Sequence, residues 1–274
     1  EMTTPMVTQI ANHLARSGNK FTGTELVTVL SGGNDVLMQL AAVTSAGTAA
    51  GAQAFAGALA TRLGATATNP QTATQAILAA IATENARPGK TDATLVAAAV
   101  RAAATQPGNS AVAAPAVYGP LVTAAQADGT AAGNTAAGAY ATANATAMVT
   151  ALGTAGAQMA GLVRNELLAK GAKYVIVANL PDVASTPTAK SRPAAIQSLV
   201  AAMVNAFNTQ LKAGLGADDA RVLYSDLYSV SNDQVKNPGP YGLTNTSTPA
   251  CANNALGGTS LICTANNTVA GDVS

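Results

Sequence analysis

Apolar positions in the first 44 residues change from helical to strand spacing. A helix is predicted after Pro5, because Val7, Ile10 and Leu14 recur at intervals of three and four. Residues 26–30 are short, apolar and partly β-branched, which predicts a buried strand, and a second helix is predicted soon after it. Helix, strand, tight turn and helix in this order are typical of an α/β domain.

The middle of the chain, residues 45–150, is dominated by Ala, Thr and Gly. Helices are still predicted over residues 70–85 and 95–104, each ending close to a Pro-Gly pair. Small side chains allow helices to pack closely but bury little area each. We interpret this region as a helical insertion into a parent domain, with partial disorder as the alternative.

Residues 151–274 return to the α/β pattern. Apolar residues over 159–168 form a helical stripe, and residues 173–180 (KYVIVANL) predict a strand buried on both faces, as in parallel sheets. A long amphipathic helix is predicted over 194–211 and a further strand over 221–227, followed by a loop from Ser229 onward. The prediction is therefore a core formed by residues 1–44 and 151–274, interrupted by the insertion at 45–150.

Composition excludes several classes of function. The 274 residues include 14 Lys and Arg against 13 Asp and Glu, with no basic cluster, which argues against a nucleic-acid or anionic-membrane partner. No uninterrupted apolar run approaches the ~18 residues of a transmembrane helix. The single His excludes zinc sites that need several imidazoles, and no cofactor is predicted.

Candidate chemistry begins at the turn after the first predicted strand, Ser31-Gly32-Gly33-Asn34-Asp35. Open parallel sheets bind ligands at the carboxyl ends of their strands. Glycine permits a sharp turn, and an Asn amide can donate a hydrogen bond to a developing oxyanion. The same residues are also ordinary turn formers, so the turn alone does not decide between the two interpretations.

A spaced series of short matches makes the chain resemble the SGNH/GDSL serine hydrolases, closest to secreted and autotransporter-type bacterial esterases. The series includes residues 26–35 with Gly32-Gly33-Asn34-Asp35, residues 175–182 with Asn179-Leu180-Pro181-Asp182, and Phe207-Asn208. It continues through 222–228, Asn237-Pro238 and Tyr241-Gly242-Leu243-Thr244 up to Cys251. About 170 residues are covered, and the Ala-rich middle region does not match.

The resemblance implies a three-layer α/β/α, flavodoxin-like fold and hydrolysis of short-to-medium acyl carboxylic esters through an acyl-enzyme. Asn34 matches the family's oxyanion-hole Asn, with Gly32 shaping the turn. The implied partner is a small-molecule or lipid-like ester, and the implied location is extracytoplasmic: secreted, periplasmic or on the bacterial surface.

The chain departs from the family at its nucleophile and base. It contains no Gly-Asp-Ser and no Asp-x-x-His, and His13 lies on the helix that precedes the Asn34 strand. We therefore expect a longer protein whose other segments supply the Ser-His-Asp triad and the first strands of the sheet. The alternative is a catalytically inactive relative that acts as a binding or surface-interaction module.

Two further pairs of residues have a chemical and a structural interpretation. Cys251 and Cys263 enclose a short polar loop, which predicts a disulfide, with two free thiols as the alternative. Asp182 and Asp226 follow predicted strands and could serve as catalytic carboxylates. Capping of turns is the alternative for both, because neither has a neighbouring His in the sequence.

Overall fold

In a computed structural model, which describes residues 4–251, the chain is mainly helical. Counted with the short 3₁₀ and π segments, helices contain 72% of the described residues, and strands contain 5%. The helices are listed here in chain order: α1 Met6–Arg16, α2 Gly33–Gly64, α3 Pro70–Asn85, α4 Asp92–Ala104, α5 Pro115–Leu162, α6 Pro187–Lys190, α7 Ala194–Leu215 and α8 Leu227–Lys236.

A small parallel sheet lies in the first of two compact units. It contains β1 (Leu26–Val29), β2 (Tyr174–Ala178) and β3 (Leu223–Ser225), in the order β1-β2-β3. Leu26 pairs with Tyr174 and Ile176 pairs with Leu223, so both neighbours of β2 run parallel to it. Residues up to Ala41 and from Ala141 onward form this unit, and residues Ala42–Tyr140 form the second.

The predicted three-layer α/β/α fold is wrong. A three-layer fold requires helices over both faces of the sheet. Leu26, Tyr174 and Leu223 share one face through their pairing, and each is 60–66% exposed. The sheet of the described residues has only three short strands, of four, five and three residues, and the exposed side chains show that no helix layer covers this face.

The core of the first unit is centred on α7, whose apolar face is buried. Helix α7 packs closely against the end of α5: a Cβ on Gly156 would lie 2.2 Å from the Phe207 carbonyl oxygen, and one on Gly214 would lie 2.7 Å from the Ala160 Cβ. Buried side chains on this face of α7 are Ile196, Leu199, Val200, Met203, Val204, Phe207, Leu211 and Leu215.

In the second unit, α2 and α5 cross at paired glycines. A Cβ on Gly51 would lie 2.9 Å from the Gly129 carbonyl oxygen, and one on Gly47 would lie 2.9 Å from the Gly133 carbonyl oxygen. The four glycines are the first and last residues of two copies of the pentapeptide Gly-Thr-Ala-Ala-Gly, at 47–51 and 129–133. Only glycine permits backbones to approach this closely, so these four positions determine the crossing.

A buried Asn joins two helix ends in the same unit. The Asn109 amide donates to the Leu63 carbonyl at 2.8 Å and to the Ala103 carbonyl at 2.9 Å, and its oxygen accepts from the Thr66 hydroxyl at 2.5 Å. The last carbonyls of a helix have no partner within the helix. Asn109, which is 1% exposed, supplies that partner to the ends of both α2 and α4.

One helix of the described chain, Pro115–Leu168, is long and apolar enough to cross a bilayer, judged by length and composition alone. Within its most apolar window, 39% is buried inside the protein. Core helices pass the same test, so this helix is weak evidence for a membrane span and no clear transmembrane segment is present among residues 4–251.

Candidate active site

Polar residues follow each of the three strands at one edge of the sheet. Because the strands are parallel, their carboxyl ends lie on the same side. The turn with Gly32 and Asn34 follows β1, Asn179 comes directly after β2, and Asp226 comes directly after β3. This edge is where parallel sheets bind ligands, and it contains the residues singled out by the sequence.

Gly32 forms the turn between β1 and α2. Its φ is +102°, and its carbonyl accepts a hydrogen bond from the Val36 N–H at 3.2 Å, which begins the helix. A Cβ at Gly32 would lie 2.5 Å from Cε2 and 2.7 Å from Cζ of Phe207. Backbone conformation and close packing therefore both require glycine here. Gly33 has no such neighbour within 4 Å.

Asn34 lies in the first turn of α2 and is exposed. The first N–H groups of a helix have no partner within the helix, and the helix dipole is positive at this end. An amide side chain in this turn can therefore add a hydrogen bond to a site that already favours negative charge. Asp35 follows in the same turn, where its carboxylate interacts favourably with the dipole.

Asn179 connects the ends of β2 and β3. Its N–H donates to the Ser225 carbonyl at 3.1 Å, and its side-chain amide donates to Asp226 Oδ1 at 2.8 Å. Its side-chain oxygen accepts from the Tyr228 N–H at 3.0 Å. Asn179 is 4% exposed, so these bonds satisfy an amide that burial would otherwise destabilise.

Asp226 caps α8. Its carboxylate accepts from the Ser229 hydroxyl at 2.7 Å and from the Ser229 N–H at 3.1 Å. These hydrogen bonds, the Ser229 hydroxyl first and then the Asn179 amide, lower the pKa of Asp226 below its ordinary value. The structure thus shows the capping alternative. The loop predicted from Ser229 onward is wrong as far as Lys236, because the cap starts helix α8.

Asp182 also has structural partners. Its carboxylate accepts from the Ser185 hydroxyl at 2.5 Å and from the Asn232 amide at 2.7 Å, and its N–H donates to the Ser231 hydroxyl at 2.8 Å. It is 8% exposed. These contacts connect the loop after β2 to α8. Asp182 therefore has the turn-forming role, and it is not placed as a catalytic carboxylate beside a histidine.

Two adjacent residues of α7 position the loops after β1 and β2. Phe207 packs against Gly32, and the Asn208 amide oxygen accepts from the Leu180 N–H at 2.8 Å while its NH₂ donates to the Leu180 carbonyl at 2.9 Å. Sequence reasoning gave Asn208 and Asn179 no site role. The sequence signal that could have indicated a role was a polar amide next to apolar residues: Asn208 beside the apolar face of α7, and Asn179 directly after the apolar strand β2.

His13, the only histidine in the chain, stacks on the Phe21 ring with centroids 4.7 Å apart. The Ser17 N–H donates to the His13 carbonyl at 3.1 Å, but within residues 4–251 no serine, threonine or cysteine side chain hydrogen-bonds to the imidazole. This part of the chain therefore contains no nucleophile–base pair built on histidine. The described ranges also contain no group of three or more His, Cys, Asp or Glu that could bind a metal.

Cys263 lies outside the described residues, so the Cys251–Cys263 disulfide stays a prediction. No protein-family model, no curated protein and no solved structure matches this chain. The resemblance to the SGNH esterases therefore stays a prediction from the sequence motifs.

Proposed function

We propose that this chain is part of an extracytoplasmic carboxylic ester hydrolase in which Asn34 is an oxyanion-hole donor. The observation that carries the proposal is the β1–α2 turn. It places an exposed Asn in the first turn of a helix, at the carboxyl edge of a parallel sheet, behind a glycine that the packing requires.

Ester hydrolysis passes through a tetrahedral intermediate whose carbonyl oxygen becomes negatively charged. In the proposed reaction the Asn34 amide donates a hydrogen bond to that oxygen, and the positive end of α2 lowers the cost of its charge. Gly32 and Phe207 keep the turn in place. Asn179 and Asn208 hold the two neighbouring strand ends in register with it.

The Ser-His-Asp triad is proposed to come from polypeptide outside these 274 residues. A triad serine attacks the ester carbonyl, the histidine takes its proton and returns it to the departing alcohol, and water then releases the acid. The proposed substrate is a short-to-medium acyl ester.

The test uses the complete natural protein with a chromogenic butyrate ester. We expect Asn34→Ala to lower kcat by about 10²–10³ with little change in KM, since the lost bond forms mainly in the transition state. Thr44→Ala, an exposed change later in the same helix, is the matched control and should retain wild-type turnover. Wild-type kcat in Asn34→Ala would show that Asn34 is not an oxyanion donor.

A non-catalytic binding module is the second candidate, favoured by the absence of Gly-Asp-Ser and of Asp-x-x-His from these 274 residues. A serine-reactive fluorophosphonate separates the two. One covalent adduct on the complete protein supports the esterase, whereas an unmodified protein with no turnover supports the binding module.

A further inference from the structure

An open groove lies in the second unit. Its volume is about 720 Å³, within the roughly 300–1,000 Å³ of small-molecule sites. One wall is formed by side chains along one side of α4. The other wall is formed by Ala113, just before α5, and by Tyr118 and Gln126 in the first part of α5. The lining includes Ala93, Val96, Ala97, Val100, Ala104 and Ala113.

The apolar wall is long and shallow because most of its side chains are small. Ala93 and Ala104 lie at its two ends, about 16 Å apart at the rise of an α-helix. Val100 belongs to the hydrophobic core beneath and is 9% exposed, so the floor of the groove is held by packed side chains. An extended apolar chain fits this shape better than a compact ring system.

Four polar side chains without partners in the described part of the chain line the same groove: Asp92, Arg101, Tyr118 and Gln126. The Arg101 guanidinium forms no ion pair or hydrogen bond within residues 4–251, and neither does the Tyr118 hydroxyl. Glu84 of the neighbouring helix interacts electrostatically with Arg101, but its carboxylate is bound by Arg87 at 2.7 Å. Arg101 is therefore available to an anion.

Charge also gives the groove a direction. Asp92, the other charged residue of the lining, begins α4, and Arg101 lies about 14 Å further along the helix axis. A carboxylate is attracted by Arg101 and repelled by Asp92, so an anionic head group belongs at the Arg101 end. The apolar tail then lies along Val96, Ala97 and Ala93.

We propose that this groove binds a medium-chain fatty acid, with its carboxylate at Arg101 and Tyr118 and its alkyl chain along α4. This binding site goes beyond the proposed esterase activity and does not depend on it, since a free fatty acid has no ester bond. Arg101 supplies a charge-assisted hydrogen bond, the Tyr118 hydroxyl a second one, and the alanine wall buries the chain.

Isothermal titration of the full chain with dodecanoate, kept below its micelle concentration, tests the proposal. We expect saturable binding of one ligand per chain. Arg101→Gln should weaken the Kd by about tenfold, the scale of one hydrogen bond to a charged group. Dodecyltrimethylammonium, which has the same tail and the opposite charge, should bind at least about tenfold more weakly.

Matched variants separate the groove from the rest of the surface. Ala97→Phe fills the exposed wall and should abolish binding, whereas Ala79→Phe, an exposed alanine of α3 outside the groove, should not. Lys90→Gln removes an exposed cation of the same unit, whose ammonium contacts Asn85 and not Glu84, and should leave the Kd within about twofold. Circular dichroism checks that each variant is folded, and Ala93→Phe replaces Ala97→Phe if the latter is not.

Three results would overturn the proposal. They are no dodecanoate binding, equal binding of the cationic analogue, and wild-type affinity in both Arg101→Gln and Ala97→Phe. Asn34→Ala separates this proposal from the esterase proposal and should leave dodecanoate binding unchanged. If Asn34→Ala loses binding while Arg101→Gln retains it, the carboxylate binds at the sheet edge and the groove proposal is wrong.

Discussion

Gly32 offers the sharpest test of how the β1–α2 turn is built. The substitution Gly32→Ala adds one methyl group, and the structure places that group 2.5 Å from Phe207 Cε2 and 2.7 Å from Cζ. Neither side can move easily. Phe207 is 1% exposed. Its backbone is also tightly packed against α5, because a Cβ on Gly156 would lie only 2.2 Å from the Phe207 carbonyl oxygen.

The expected destabilisation has two parts. An Ala at φ +102° costs about 1–2 kcal/mol relative to Gly, because its Cβ disfavours positive φ. Overpacking a well-filled core by one methyl costs about 1–3 kcal/mol more. We therefore expect Gly32→Ala to lower the free energy of unfolding by about 3 kcal/mol. Gly33→Ala, one residue later, has no neighbour within 4 Å and should change it by less than about 0.5 kcal/mol.

Urea unfolding followed by far-UV circular dichroism measures both variants. With a slope of about 3 kcal/mol per molar urea for a chain of this size, Gly32→Ala should unfold at roughly 1 M lower urea than the wild type. Gly33→Ala should unfold with the wild type. Equal midpoints for the two variants would refute the inferred contact between Gly32 and Phe207.

Three further predictions concern packing, polar contacts and pH. Gly51→Ala should lower the midpoint of thermal unfolding, because the added Cβ meets the facing α5 backbone. Gly57→Ala in the same helix has no neighbour within 4 Å and should raise the midpoint slightly. Thermal melts with the opposite order would contradict the α2–α5 crossing. Asn109→Ala should cost about 2 kcal/mol in urea unfolding, since the Leu63 carbonyl loses its donor while the Ala103 carbonyl keeps the Gln106 N–H at 3.1 Å. A loss under about 1 kcal/mol would contradict this account. The lowered pKa of Asp226 gives stability that is fully present above about pH 4 and is lost as pH falls through the folded-state pKa. Asp226→Asn should therefore lose less stability than the wild type when urea unfolding is compared at neutral and acid pH. Equal losses in the two proteins would argue against a stabilising Asp226 carboxylate.

The strands and several helices were predictable because their apolar residues follow the spacing that burial requires. Residues 26–30 contain β1, and residues 173–180 contain β2, both at the predicted places. Helix α3 spans Pro70–Asn85, with Pro at its first position and Asn69 as its cap. Apolar periodicity and capping residues act locally, so these elements did not need tertiary information.

The lengths of α2 and α5 were not predictable from apolar spacing. Alanine, threonine and glycine over 45–150 produce almost no amphipathic stripe, because small residues lie on every face of the helix. What holds these helices together is the close approach of glycines on two segments about 80 residues apart, and the repeated Gly-Thr-Ala-Ala-Gly is the sequence signal for it.

The candidate site was predictable only at its turn. Gly32 and Asn34 are recognisable as turn residues because glycine and asparagine directly after a strand favour a tight turn. Asn179 and Asn208 act through partners 47 and 28 residues away, so nothing in their own neighbourhood reveals the contacts. Their bonds nevertheless determine how the strand ends lie beside the turn. A site at a sheet edge thus depends on amides that satisfy buried backbone groups as much as on the residue that would touch the substrate. Asn208 does not itself contact the Asn34 turn in the bonds described above, so we expect Asn208→Ala to affect that turn indirectly, through Leu180 and the neighbouring Phe207.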